Sequence, residues 1–242
     1  MKAVLLAAGR GSRMHGMTDL KPKSLIEFNG EPLVSRAVRS MREGGVTEVG
    51  VVGGYRAEML EPYADRMFMN DAWSSTGIFH SLSMAAPWLE HEACLISYSD
   101  IFYSGELVTD MLAAAGDIVI AYDVNAVALW TQRFDHPLLD LERFTVDGNR
   151  CVREIGGRAT SLAEIEGQYM GLLKLTPAGW QAMRAVQREL DTEVRDNVDM
   201  TTLLSKLIQA NYPIRTVANA APWGEIDCQS DVHVYERLYP DL

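Results

Sequence analysis

The feature that most constrains this chain is its start: the apolar run Lys2-Ala3-Val4-Leu5-Leu6-Ala7 passes directly into Ala8-Gly9-Arg10-Gly11-Ser12-Arg13. A run this short, closed by glycines, predicts a buried strand over residues 2–7 that opens into a tight loop. Short apolar runs and amphipathic stretches then alternate. Glu31–Glu43 predicts a helix, with Pro32 near its start, Leu33, Ala37, Val38 and Met41 on one face, and Gly44-Gly45 ending it. Strands are expected over Thr47–Val52, residues 94–98 and residues 117–122, with a helix over about 105–115. This alternation is that of a doubly wound, Rossmann-like α/β sheet with parallel strands.

After Tyr122 the rhythm changes. Residues 123–143 show no clear period, and Phe144-Thr145-Val146 and Cys151–Ile155 then flank Asp147-Gly148-Asn149, a hairpin signal. Tyr169–Leu175 predicts a strand, Pro177–Leu190 a helix entered at Thr176, and Asp199–Gln209 a further helix, before a last strand and helix. The expectation is one domain over residues 1–242, a mixed α/β sandwich with a small antiparallel lid over about 123–170.

The bulk properties narrow the function. At 242 residues, with 48% apolar residues, the chain can build a full core. It contains no apolar run of 18 residues, so no membrane span and no membrane partner are expected. The N-terminal apolar stretch is too short for a secretory signal, which points to a cytoplasmic protein. Cys94, Cys151 and Cys228 lie far apart, with the spacing of neither a disulfide framework nor a zinc site. A net charge of −11 argues against nucleic acid as a partner, though it leaves room for a single nucleotide.

The glycine loop is the first chemical signal. Glycines let backbone N–H groups approach phosphate oxygens, Arg13 could add a charge-assisted fork, and Lys23 in Lys21-Pro22-Lys23-Ser24-Leu25 could return a second cation. The dinucleotide fingerprint fails for want of a third glycine, where Met14 stands, and the P-loop fails for want of Gly-Lys-Ser/Thr. Taken alone, Gly-x-Gly is also compatible with an ordinary tight turn. The longer string Leu6-Ala7-Ala8-Gly9-x-Gly11-x-Arg13, with Lys23 ten residues on, resembles the signature of the nucleotidyltransferases that make nucleotide-activated sugars and alcohols. The resemblance implies a GT-A-like nucleotidyltransferase fold. It also implies that Leu6, Ala7, Ala8, Gly9, Gly11 and Ser12 bind the nucleotide, the Ala8–Arg13 loop holding the triphosphate, while Arg13 and Lys23 neutralise charge at the α-phosphate and leaving pyrophosphate.

Further matches follow in order. Val52-Gly53-Gly54-Tyr55 resembles the segment beside the nucleobase, and Asn70-Asp71-Ala72-Trp73, Thr76-Gly77 and Ser81-Leu82 resemble the loop and helix that contact base and ribose. Singly, Trp73 and Ser81 are equally compatible with core and capping roles. Gly53, Tyr55, Asn70, Thr76 and Ser81 are the nucleotide-binding residues this implies. Asp100 ends the strand Cys94–Ser99, a natural ligand position beyond a carboxyl end. The family carries an acidic pair there; this chain has Tyr98-Ser99-Asp100, so the first acid is missing. Glu225 and Asp227 are two apart on an expected strand and face the same way, although either could instead cap the final helix. The resemblance makes Asp100 and Asp227 the ligands of a Mg²⁺ cofactor, which one or two carboxylates suffice to hold.

The short chain and the closeness of Glu225-Ile226-Asp227 to the last residue resemble the cytidylyltransferases of phosphocholine and of phosphonates, which implies CTP and a small phosphorylated or phosphonate acceptor. For the acceptor, Tyr122, Asp123, Trp130, Tyr169 and Trp223 could form an aromatic cage for a choline head, with Glu225 in support. Arg133, His136, Arg153 and Arg158 in the lid would instead suit an anionic acceptor. Both stay open, as do a sugar-1-phosphate nucleotidyltransferase using UTP or dTTP and a non-catalytic nucleotide-binding regulatory subunit. A homodimer is among the assemblies the sequence leaves open.

Overall fold

The computed structural model describes residues 1–242, apart from the side chain of His15. Seven strands form the central sheet and are numbered β1 (Lys2–Ala7), β2 (Glu48–Gly53), β3 (Arg66–Met69), β4 (Cys94–Tyr98), β5 (Ile118–Asp123), β6 (Gln168–Leu175) and β7 (Arg215–Asn219). Their order across the sheet is β7-β5-β6-β4-β1-β2-β3. Only β6 runs against its neighbours, pairing antiparallel with both β4 and β5. The expected doubly wound mixed sheet is therefore what the chain forms. The main helices are α1 (Leu33–Glu43), α2 (Ile78–Ser83), α3 (Gly105–Ala113), α4 (Ala126–Arg133), α5 (Pro177–Arg188), α6 (Met200–Gln209) and α7 (Gln229–Leu238).

The sheet is buried on both faces, as near-continuous apolar strands require. Leu5 and Val51 point into one core layer with Ile26, Leu33 and Met41; Val4, Val52 and Ile96 point into the other with Phe79, Trp180 and Leu203. Two helix starts carry the side-chain caps their sequences announce. Thr176 Oγ1 accepts from Gly179 N–H at 3.3 Å, and Asp199 Oδ1 accepts from Thr202 N–H at 2.6 Å.

Three departures from the sequence expectation have physical reasons. Helix α1 begins at Leu33 rather than Glu31, because Glu31-Pro32 pairs with Glu27-Phe28 in a small hairpin. Asn29 and Gly30, with φ of 48° and 75°, make its turn. The aperiodic stretch 123–143 contains helix α4. The expected hairpin forms, but longer than its apolar core, as Glu142–Val146 against Val152–Arg158. Asp147 Oδ1 holds its turn by accepting from Asn149 N–H and Cys151 N–H. The hairpin packs on α6 and, through Phe144 stacked on Tyr122 at 5.1 Å, on the sheet. Among the described residues no helix is long and apolar enough to cross a membrane.

Candidate active site

Strand β1 delivers the glycine loop to the carboxyl edge of the sheet. Gly11 takes a left-handed φ of 75°, and a Cβ placed on it would lie 2.7 Å from Lys23 Cβ. Glycine is therefore required twice there, for conformation and for the approach of Lys23. Tyr55 stands outside the loop and ties it down: its N–H bonds Ala8 O at 2.9 Å, and its hydroxyl donates to Asp19 O at 2.6 Å.

Asp100 and Asp227 come from distant parts of the chain. Gly224-Glu225 pairs antiparallel with Ile101-Phe102, and Ile226 N–H bonds Asp100 O at 2.9 Å, so the two acids lie side by side. Carboxylate oxygens of Asp100, Glu225 and Asp227 all lie within 4.8 Å of one another. Lys23 Nζ enters this group, 2.7 Å from Asp100 Oδ2 and 2.5 Å from Asp227 Oδ1, and an Arg13 guanidinium nitrogen lies 3.1 Å from Asp227 Oδ1. Burial works against the Lys23 charge, but the Asp100 and Asp227 carboxylates outweigh it and raise the ammonium pKa. Glu225 is pushed up to about 8 by burial first, and then by the charges of Asp227 and Asp100. Asp100 Oδ1 is buried with no hydrogen-bond partner. Three hard oxygen donors converging, one of them orphaned, fit a divalent cation of the Mg²⁺ type.

Two clefts meet at this group. A cleft of about 260 Å³ is walled by Leu6, Ala8, Gly9 and Gly11 on one side and by Trp73, Thr76, Gly77 and Ser81 on the other, with Lys23 and Asp100 at its end. Gly77 N–H bonds Asp196 O at 2.7 Å, fastening this cleft's rim to the segment before α6. The second cleft, about 360 Å³, is walled by Tyr98, Trp130, Tyr169, Glu225 and Asp227 together with Asp140, Glu142 and Asp199. Arg13 borders both clefts. Glu142 has its pKa raised by burial and by the neighbouring charges of Asp199 and Asp140.

The structure thus gathers Leu6, Ala8, Gly9, Gly11, Arg13, Lys23, Thr76, Ser81 and Asp100 around the first cleft, and Trp130, Tyr169, Glu225 and Asp227 around the second. Other expected residues stand elsewhere. Ala7 and Gly53 are buried, Ser12 is exposed, and Asn70 is buried behind Thr76 and Ser81. Tyr122 stacks under the hairpin. Arg158 is exposed at the hairpin end and outside both clefts. The Arg133 side chain is 1% exposed and forms a bidentate ion pair with Asp231 at 3.0 and 3.2 Å, so its charge is spent inside the protein. Asp231 in turn accepts from Asp227 N–H at 2.8 Å, so this pair supports the carboxylate group from behind. Sequence reasoning missed Asp140, Glu142 and Asp199, which come from two separate segments and carry no motif.

Comparison with known proteins agrees with this geometry. Residues 3–163 match the model of the MobA-like NTP transferase domain. The chain is 30% identical over 250 residues to the CTP:phosphoglutamine cytidylyltransferase of Campylobacter jejuni, covering 97% of this chain and 98% of that protein. It is 35% identical over 86 residues to the choline-phosphate cytidylyltransferase of Streptococcus pneumoniae, covering 34% of this chain and 38% of that one. The fold superposes on the inositol-1-phosphate CTP transferase of T. maritima with a TM-score of 0.74 at 19% identity, covering 100% of this chain and 97% of that chain. With the glycine loop, the paired clefts and the carboxylate group in place, the chain belongs to the MobA-like NTP transferase family and is a nucleotidyltransferase.

Proposed function

We propose that this enzyme is a cytidylyltransferase that transfers CMP from CTP to a small phosphate- or phosphonate-bearing acceptor whose far end is cationic. CTP is supported by the cytidylyltransferase relatives. The acceptor class rests on one observation: the second cleft carries Asp140, Glu142 and Asp199 beside the aromatic rings of Tyr98, Trp130 and Tyr169, with Arg13 its only lining cation among the described residues. Such a wall attracts an ammonium through charge and repels a carboxylate. In this reading residues 123–170 form the acceptor-side cover of a single domain.

The glycine loop cradles the triphosphate with its backbone, while Thr76 and Ser81 border the base. Asp100 and Asp227, with Glu225 beside them, would hold a magnesium ion, which when bound supplies charge neutralisation at the phosphates. An acceptor oxygen, already ionised at neutral pH, attacks the α-phosphorus; the new P–O bond forms as the bond to the β-phosphate bridge breaks, and pyrophosphate leaves. No protein base is needed. Arg13, placed between the clefts, is positioned to draw acceptor and α-phosphate together, and Lys23 to meet the departing charge.

The test is pyrophosphate release across the four NTPs with phosphocholine, 2-aminoethylphosphonate, phosphonoacetate and a hexose 1-phosphate. Turnover confined to CTP with the two cationic acceptors is expected. Preference for phosphonoacetate would remove the cationic acceptor, and turnover of the hexose phosphate with UTP or dTTP would replace the whole reading.

A further inference from the structure

Asn70 follows β3, is 1% exposed and does not line the nucleotide cleft, yet its side chain touches two residues that do. Ala72 N–H lies 3.1 Å from Asn70 Oδ1. A backbone N–H can only donate, so this contact determines which end of the amide is oxygen. The amide nitrogen must then face the other way, where it lies 3.0 Å from both Thr76 Oγ1 and Ser81 Oγ. Both hydroxyl oxygens therefore accept from Asn70, and their own protons must point elsewhere. Thr76 donates to Ala72 O at 2.9 Å. Ser81 reaches Gly77 O only at 3.4 Å, at the limit of a useful hydrogen bond. Its O–H is thus the donor left for the cleft it borders.

We infer that Asn70 is a positioning residue for base selection: by holding the Ser81 hydroxyl as a donor toward the nucleotide cleft, it favours cytosine over uracil. The inference rests on the reading that this cleft takes CTP. Cytosine offers an acceptor at ring N3, whereas uracil offers N3–H, a second donor. A hydroxyl free to rotate would accept from one base and donate to the other. A hydroxyl whose lone pair is engaged by a buried amide distinguishes them.

Asn70→Asp keeps the shape and the Ala72 contact but can no longer donate, so the Thr76 and Ser81 protons turn inward toward it. The ratio of kcat/KM for CTP over UTP should fall about tenfold or more, carried mainly by KM. Ser81→Ala should lower the same ratio, and Asn70→Asp added to Ser81→Ala should lower it no further, because one residue acts through the other. Melting curves and equilibrium CTP binding accompany each variant. If Asn70→Asp does not fold, Ser81→Ala carries the test by itself. A parent enzyme that discriminates, with a ratio unchanged in Ser81→Ala or with kcat/KM reduced equally for both nucleotides in Asn70→Asp, overturns the positioning role alone. A parent enzyme that uses CTP and UTP equally removes the cytidine reading instead.

Discussion

Lys23 Nζ lies 2.5 Å from Asp227 Oδ1 and 2.7 Å from Asp100 Oδ2, so one ammonium bridges the two carboxylates best placed to hold a metal ion. Asp100 Oδ1 stays without a partner, so a cation entering the group meets one free oxygen and competes with the ammonium for the others. A triphosphate in the neighbouring cleft would give Lys23 a second anionic partner.

The first prediction follows. Lys23→Met removes the buried counter-ion and leaves only Arg13 to offset the repulsion between Asp100 and Asp227. The variant should melt lower than the parent, by roughly 2–4 °C per kcal/mol of repulsion, and added Mg²⁺ alone should restore it. The parent should respond to Mg²⁺ mainly when nucleotide is present. A variant with unchanged melting and no Mg²⁺ response would show that the ammonium does not hold the carboxylates together.

The carboxylates themselves should be catalytic without being structural. Asp100→Asn and Asp227→Asn should each lose activity about 10²–10³-fold while melting near the parent. The double variant should be little worse than either single one, since groups acting on one ion are not additive. Full activity in Asp227→Asn would assign that residue to the start of α7 instead.

Arg133 and Arg158 separate cleanly. Asp231→Ala strips the partner from a guanidinium that is 1% exposed, and should cost about 3–5 kcal/mol in chemical denaturation. Arg133→Ala should destabilise for the same reason. Arg158→Ala, at the surface, should change stability by no more than about 0.5 kcal/mol and leave every acceptor KM alone. A stable Arg133→Ala protein with raised KM for an anionic acceptor would return Arg133 to the acceptor side.

The proposed acceptor role of the second cleft has a pH signature. Burial, Asp199 and Asp140 raise the Glu142 pKa, so the interval over which the group charges lies above that of an ordinary glutamate. A cationic acceptor binds the charged form. Its KM should therefore fall as pH rises through that interval, beyond the fall produced by the acceptor's own phosphate ionisation. Glu142→Gln should abolish the extra component. Identical pH profiles for parent and variant would exclude Glu142 from acceptor binding.

Which parts of this are legible in the sequence depends on how local the cause is. Strand β1 and its loop, and the caps at Thr176 and Asp199, depend on neighbouring residues and are readable directly. Helix α4 is not, because eight residues with no side-chain cap give too short a stripe, although Ala126, Leu129 and Trp130 do turn inward. The carboxylate pair is legible through the resemblance and not through spacing, since only the pairing of Gly224-Glu225 with Ile101-Phe102 joins its halves. The acids of the second cleft are hidden by tertiary convergence, since the Asp140–Glu142 segment meets Asp199 only in the fold. Asp199 even serves as the α6 cap that its sequence position announces, so a correct local reading conceals its place on the cleft wall.

The bond from Gly77 N–H to Asp196 O has a kinetic consequence. It joins the rim of one cleft to a segment whose next turn, Asp199 to Thr201, walls the other. Settling a nucleotide against Gly77 would fix that wall before any acceptor arrives. Turnover should then be compulsory-order, nucleotide first, with the acceptor alone leaving no trace in titration and pyrophosphate departing ahead of the activated product.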